Sequence, residues 1–202
     1  MKAVRAISYA GIAHAVEKNR CPVCNALKDF ESSLLESARA PNAVHFCNYH
    51  GWLLARAARA DVAAGVFRNL LQLWKDAKTV APVPCEFCRE ICEEEKTVLA
   101  DFAEQFSNST VTELMEEHGT VCLAHGIELS TRLPGSLQGT LARIVARRSR
   151  DLDGDLAAFA KIAQTGHHIG GGVLGHAAEF LFSQRGISHE EAPCSNRDRQ
   201  KR

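Results

Sequence analysis

Two short patterns recur in the same order along this chain: CPVC (Cys21–Cys24) then FCNYH (Phe46–His50), and CEFC (Cys85–Cys88) then VCLAH (Val121–His125). Two cysteines separated by two residues can grip one metal ion while the backbone turns, and a CxxH supplies two further ligands. Each CxxC taken with the CxxH that follows it gives Cys3His, a closed tetrahedral set. The expected sets are Cys21, Cys24, Cys47, His50 and Cys85, Cys88, Cys122, His125. Ligand exchange between the two units is the alternative pairing. Pro22 suits the first turn of a helix, where its missing N–H is no loss, so these motifs are read as helix starts. There the positive end of the helix dipole favours the thiolate that a metal requires. The expected cofactor is zinc, two ions per chain, ahead of iron. Dithiol redox chemistry and small buried cysteines that meet no metal are the competing readings.

A chain held at two such points needs helices, and the residue pattern supplies them. Period-2 alternation is nearly absent, and Ala, Leu, Glu, Arg and Gln dominate. Leu53, Ala57, Ala60, Ala64, Phe67, Leu71 and Trp74 form an apolar seam about 30 Å long if they lie on one helix. Phe87, Ile91, Val98, Phe102 and Phe106 mark a helix after the second CxxC, and Leu27, Phe30 and Leu34 a shorter one after the first. A long helix is expected from Leu137 to Ala163, disturbed near Asp153–Gly154–Asp155, then a last short one with Leu174, Ala177, Ala178 and Leu181. The interval between CxxC and CxxH is longer in the second copy. Ser107–Gly119 can fill it with a short helix capped by Thr110 and Glu113.

The fold class expected is therefore all-α: a bundle of two duplicated CxxC/CxxH units (1–80 and 81–133), C-terminal helices (134–186) and a polar tail (187–202). The breaks are Ala81–Pro84, Leu133–Ser136 and the glycine-rich Gly166–Gly175.

Charge and composition exclude some classes of function. The 202 residues carry 24 Lys+Arg against 24 Asp+Glu, which argues against a nucleic-acid module. Ala146–Arg150 and the tail are local basic stretches, read as solvated. No apolar run is long enough to span a membrane. The N-terminal AISYAGIAHA is interrupted by polar residues and reads as an amphipathic helix rather than a signal peptide. The expected compartment is the cytoplasm, where clustered cysteines stay reduced.

Other reactive residues fall outside the repeat. Cys92 has no counterpart in the first unit and reads as a half-buried core cysteine, and Cys194 as a tail thiol. His167, His168 and His176, with Glu179 one turn beyond His176, could form a second site. A solvated loop with a capping histidine is the plainer reading. His14, His45, His118 and His189 read as surface or packing residues. No phosphate loop, nucleophile elbow or HExxH pattern occurs.

The order CPVC, FCNYHGWLL, CEFC, VCLAHGIEL resembles an uncharacterised bacterial and archaeal family of all-helical proteins, a domain of unknown function. That family carries a CPVC, a CxxHxWLL-like helix, and a second CxxC and CxxH. The resemblance runs from about Ala3 to Gly186, with Glu179-Phe180 similar to the family's end. It implies a helical fold and paired Cys3His sites, and it implies no activity. Cys92 and the histidine-rich break depart from it. The function expected is a zinc-binding helical protein that is not an enzyme, its metal sites structural, acting through a protein partner. The alternatives are a redox-responsive protein that releases metal on oxidation, and an enzyme with a site near His168, His176 and Glu179.

Overall fold

A computed structural model of the chain describes residues 7–37, 46–57, 60–76, 85–164 and 172–182. Most of them are helical, and no strand occurs among them. The elements are α1 (Tyr9–Glu17), α2 (Pro22–Ser37), α3 (Asn48–Ala57), α4 (Ala60–Asp76), α5 (Glu86–Phe106), α6 (Ser109–Glu117), α7 (Leu123–Ser130), α8 (Gly135–Gln164) and α9 (Gly172–Phe182).

Two compact units emerge. The first takes the segments 1–26 and 97–187, the second 27–96, so the divide falls inside α2 and α5 rather than at the proline-rich Ala81–Pro84. That break, the first six residues of the glycine-rich stretch, His45, His189 and Cys194 lie outside the described residues, His167 and His168 among those six.

In the first unit α8 is the backbone, packing against α6, α7 and α9, while α1 packs on α6. The core combines Ile12 and Ala15 of α1, Phe102 and Phe106 of α5, Met115 of α6, Leu129 of α7 and Ile144 of α8, each essentially inaccessible to water. Phe102 and Phe106, one turn apart, meet edge to face with ring centroids 5.8 Å apart, a favoured aromatic geometry. α8 runs unbroken for 30 residues through Asp153–Gly154–Asp155. All three residues are exposed, so the glycine costs only helix propensity, about 1 kcal/mol.

α1 ends where Asn19 adopts a left-handed φ of 50°. The Asn19 N–H donates to the Val16 carbonyl and the Arg20 N–H to that of Ala15, each at 2.8 Å. These two bonds define a Schellman stop, and asparagine is the non-glycine residue best suited to it. The stop turns the chain directly into Cys21.

The short helix expected over Ser107–Gly119 is α6, but its cap is Asn108, whose side chain accepts from the Thr110 N–H at 3.0 Å. Asparagine is a stronger N-cap than threonine. Thr112, the fourth residue of the helix, turns its hydroxyl back to the Phe106 and Asn108 carbonyls. At the other end of α6, Gly119 is obligatory. A Cβ there would stand 2.7 Å from the Met115 Cα, a backbone atom that cannot step aside. The Arg147 guanidinium of α8 donates to the carbonyls of Glu116, Gly119 and Met115, closing the C-terminus of α6.

The seam through Leu53 to Trp74 is corrected. Its residues lie on α3 and α4, and on α3 the buried residue is Leu54, with Leu53 only half-buried. On α4 Ala63 and Val66 are buried, whereas Ala60 and Ala64 are exposed and Leu71 is 64% exposed. The seam on α5 holds instead, with Phe87, Ile91, Val98, Phe102 and Phe106 all buried.

Candidate metal centres

All four motifs begin a helix. Cys21, Cys47, Cys85 and Cys122 each stand immediately before the first residue of α2, α3, α5 and α7. The carbonyl of each accepts the first intrahelical bond, from the N–H of Asn25, Gly51, Arg89 and Gly126 at 2.8–3.1 Å. The second ligand of every motif (Cys24, His50, Cys88, His125) then falls one turn in, on the same side of the helix start. Eight candidate ligands thus sit at four positive helix ends, which favours negative sulfur.

The pairing differs from the local one expected. Cys21 and Cys24 meet Cys122 and His125, all within the first unit, and Cys47 and His50 meet Cys85 and Cys88, all within the second. In each set the four ligand atoms lie within 4.8 Å of one another, and either set could hold a metal ion. The two sets are nested along the chain: the outer joins residues 98 to 104 positions apart and encloses the inner. Each CxxC takes the other copy's CxxH, so the duplicated pattern does not make two side-by-side sites.

In the outer set His125 Nδ1 lies 3.5, 3.4 and 3.2 Å from the sulfurs of Cys21, Cys24 and Cys122, and the Cys24 and Cys122 sulfurs are 3.7 Å apart. All four residues are buried. In the inner set His50 Nδ1 lies 3.3, 3.4 and 3.3 Å from the sulfurs of Cys47, Cys85 and Cys88, and the Cys47 and Cys88 sulfurs are 3.7 Å apart. Such sulfurs are far beyond the ~2.05 Å of a disulfide, and all six cysteines are reduced.

Proton affinities within each set are strongly interdependent. In the outer set burial works against a Cys21 thiolate, yet hydrogen bonds from Cys122 and Cys24 and the His125 charge hold its thiol well below the ordinary value. Hydrogen bonding to Cys122 and Cys21, with burial, pushes Cys24 up, and hydrogen bonding to Cys21 raises Cys122. In the inner set hydrogen bonds from Cys47 and Cys88 lower Cys85, while those to Cys47 and Cys85 raise Cys88. Burial opposes a charge on His50, but hydrogen bonds to Cys47, Cys85 and Glu31 outweigh it and push its pKa up to about 11. One thiol in each set, Cys21 or Cys85, is lowered, while Cys24 and Cys122 in the outer set and Cys88 in the inner are raised. A divalent ion removes that conflict by supplying the positive charge that the protons otherwise supply.

Glu31 is a functional residue that no sequence pattern marked. It lies on α2, and its Oε1 accepts from His50 Nε2 at 3.1 Å. His50 is 1% exposed, with the rings of Phe87 and Tyr49 packed edge-on at 5.5 and 5.0 Å. With a metal bound, this contact would hold the tautomer that presents a bare Nδ1 to the ion, the arrangement by which outer carboxylates orient ligating histidines. Glu31→Ala is expected to weaken metal binding at the inner set about tenfold, the lower end for such partners, with the outer set unchanged. Competition against a calibrated chelator measures both.

The other sequence candidates fall as follows. His176 and Glu179 line one cavity of about 220 Å³ in the first unit, together with Cys21, Cys24 and Cys122, while both remain exposed. His14 and His118 are exposed, each beside a glutamate, Glu17 and Glu117. Cys92 is half-buried, belongs to neither set and is disulfide-bonded. Among the described residues no helix is long and apolar enough to cross a membrane.

Two buried Cys/His clusters on an all-helical frame place the chain among proteins equipped to bind metal. No family model, curated protein or solved structure matches it, so the family resemblance rests on the motifs alone.

Proposed function

We propose that each set binds one zinc ion and that the chain is a zinc-stabilised helical protein acting through a protein partner. One observation carries the zinc reading. A tetrahedral site with Zn–S near 2.3 Å and Zn–N near 2.05 Å separates sulfurs by about 3.8 Å and sulfur from nitrogen by about 3.6 Å. The distances of 3.7 Å and 3.2–3.5 Å in both sets are within a few tenths of those values. Cys21, Cys24, Cys122 and Nδ1 of His125 would hold one ion, and Cys47, Cys85, Cys88 and Nδ1 of His50 the other. Four protein ligands leave no position open for a substrate, which suits a structural ion and not a catalytic one.

The partner reading draws on the second unit. Trp52 of α3 and Leu71 of α4 are 63% and 64% exposed, and the Arg56 guanidinium lies over the indole at 5.8 Å. An exposed Trp beside an Arg is the composition of interface anchors. Six thiols that must stay reduced suit the cytoplasm.

Oxidant-driven metal release is the second reading, supported by the cavity that Cys21, Cys24 and Cys122 line. Elemental analysis of protein purified without added metal tests the main reading. The expected result is two zinc ions per chain. Fewer than one, or iron accompanied by sulfide, overturns it.

A further inference from the structure

The cavity beside the outer set has a chemistry of its own. Its wall brings together Lys18 and Arg20 from the stop after α1, Arg148 from α8, the Thr120 side chain ahead of α7, and Glu179 from α9. Three cations therefore face one carboxylate. Arg20 and Arg148 are half-buried, and among the described residues neither guanidinium has an ion-pair partner. Half-buried guanidiniums are ordinarily paired, because each carries five donors in a rigid fork that matches an oxyanion. Their convergence on one cavity is not an accident of a loose surface. The Schellman stop at Asn19 fixes the direction of Arg20, and α8 is a 30-residue helix packed on three others.

We propose that this cavity is a binding site for a small oxyanion, held by Arg20 and Arg148 with Lys18 at its edge. At ~30 Å³ per water the space of about 220 Å³ holds about seven water molecules. That admits a phosphate or a small organic acid, and falls below the ~300 Å³ at which sites for drug-sized ligands begin. Thr120, 6% exposed, adds a hydroxyl that donates to the same anion. Phosphate and carboxylate share this chemistry, and two arms of the test separate them. The competing account is that the cations serve only to offset the negative charge of the thiolates next to them, in which case no added anion binds.

The test is calorimetric titration of inorganic phosphate, and separately of acetate, into the protein as purified, at fixed pH and ionic strength, with metal content measured on the same sample. The expected result is saturable one-to-one binding of at least one anion, the tighter arm naming its class. Arg148→Gln weakens that binding about tenfold or more, as loss of a charged hydrogen-bonding partner does. Arg20→Gln acts alike and serves if the first variant misfolds. Arg150→Gln, exposed on the same helix and away from the cavity, leaves the binding unchanged. Absence of saturable binding in both arms, or equal loss with Arg150→Gln, overturns the proposal. The inference stands on the fold of the first unit, and the paired metal measurement keeps its failure separate from failure of the zinc reading.

Discussion

Stripping the protein with a strong chelator is expected to abolish its cooperative thermal transition and most of its tertiary packing, and two equivalents of zinc are expected to restore both. The magnitudes decide this. A structural zinc ion in a Cys/His site contributes apparent binding energy of about 10–16 kcal/mol near neutral pH. A domain of this size has net stability of about 5–15 kcal/mol in all. Removing two ions therefore exceeds what the remaining contacts can offset. The sets also occupy the core, because Cys21, Cys24, Cys85, Cys88, Cys122, His50 and His125 are all buried. Once the metal leaves, those thiols and imidazoles stay buried with only one another as partners, at a cost of about 1–3 kcal/mol for each group left unsatisfied. Far-UV and near-UV circular dichroism before and after chelation measure the effect. Unchanged melting after complete metal removal would contradict a structural role.

Acid is expected to release the inner ion steeply. In the metal-free protein His50 has its pKa pushed up to about 11 and Cys88 is raised above the ordinary thiol value. Both hold protons at pH 7, and a metal must displace both. Because each lies above the working pH, lowering the pH favours the metal-free form. With at least these two protons exchanged for one ion, apparent affinity falls about 100-fold or more for each pH unit. The metal-free fold responds with the opposite sign at high pH. The raised His50 pKa contributes stability that is fully present below about 6.5 and is lost as pH rises through about 11. Competition titrations with a chelator between pH 6 and 8 check the slope, and a slope clearly below about 100-fold per unit would show that fewer than two protons are exchanged.

The helices and the eight candidate ligands were legible in the sequence because their signals are local. Pro22 after Cys21 marks a helix start, and the i, i+3 spacing of CxxC and CxxH puts both ligands on one side of it. The pairing was not legible, because it depends on which helix starts meet in space, and no local spacing records that. Counting one seam across α3 and α4 failed for a related reason. Spacing alone does not choose between neighbouring apolar stripes, and the buried positions are Leu54, Ala63 and Val66 rather than Leu53, Ala64 and Leu71. Thr110 was displaced as a cap by Asn108, a better acceptor two residues earlier. Glu31 was invisible because its partner His50 lies 19 residues away on another helix.

The nested pairing is the central claim, and paired substitutions test it directly through metal stoichiometry. Cys24→Ser with Cys122→Ser removes two ligands from one set, and Cys24→Ser with Cys47→Ser removes one from each. The account predicts that the first double variant retains one zinc ion per chain and that the second retains none tightly bound. If the first variant loses both ions and the second keeps one, each CxxC is paired with the CxxH that follows it, and the nested arrangement is wrong.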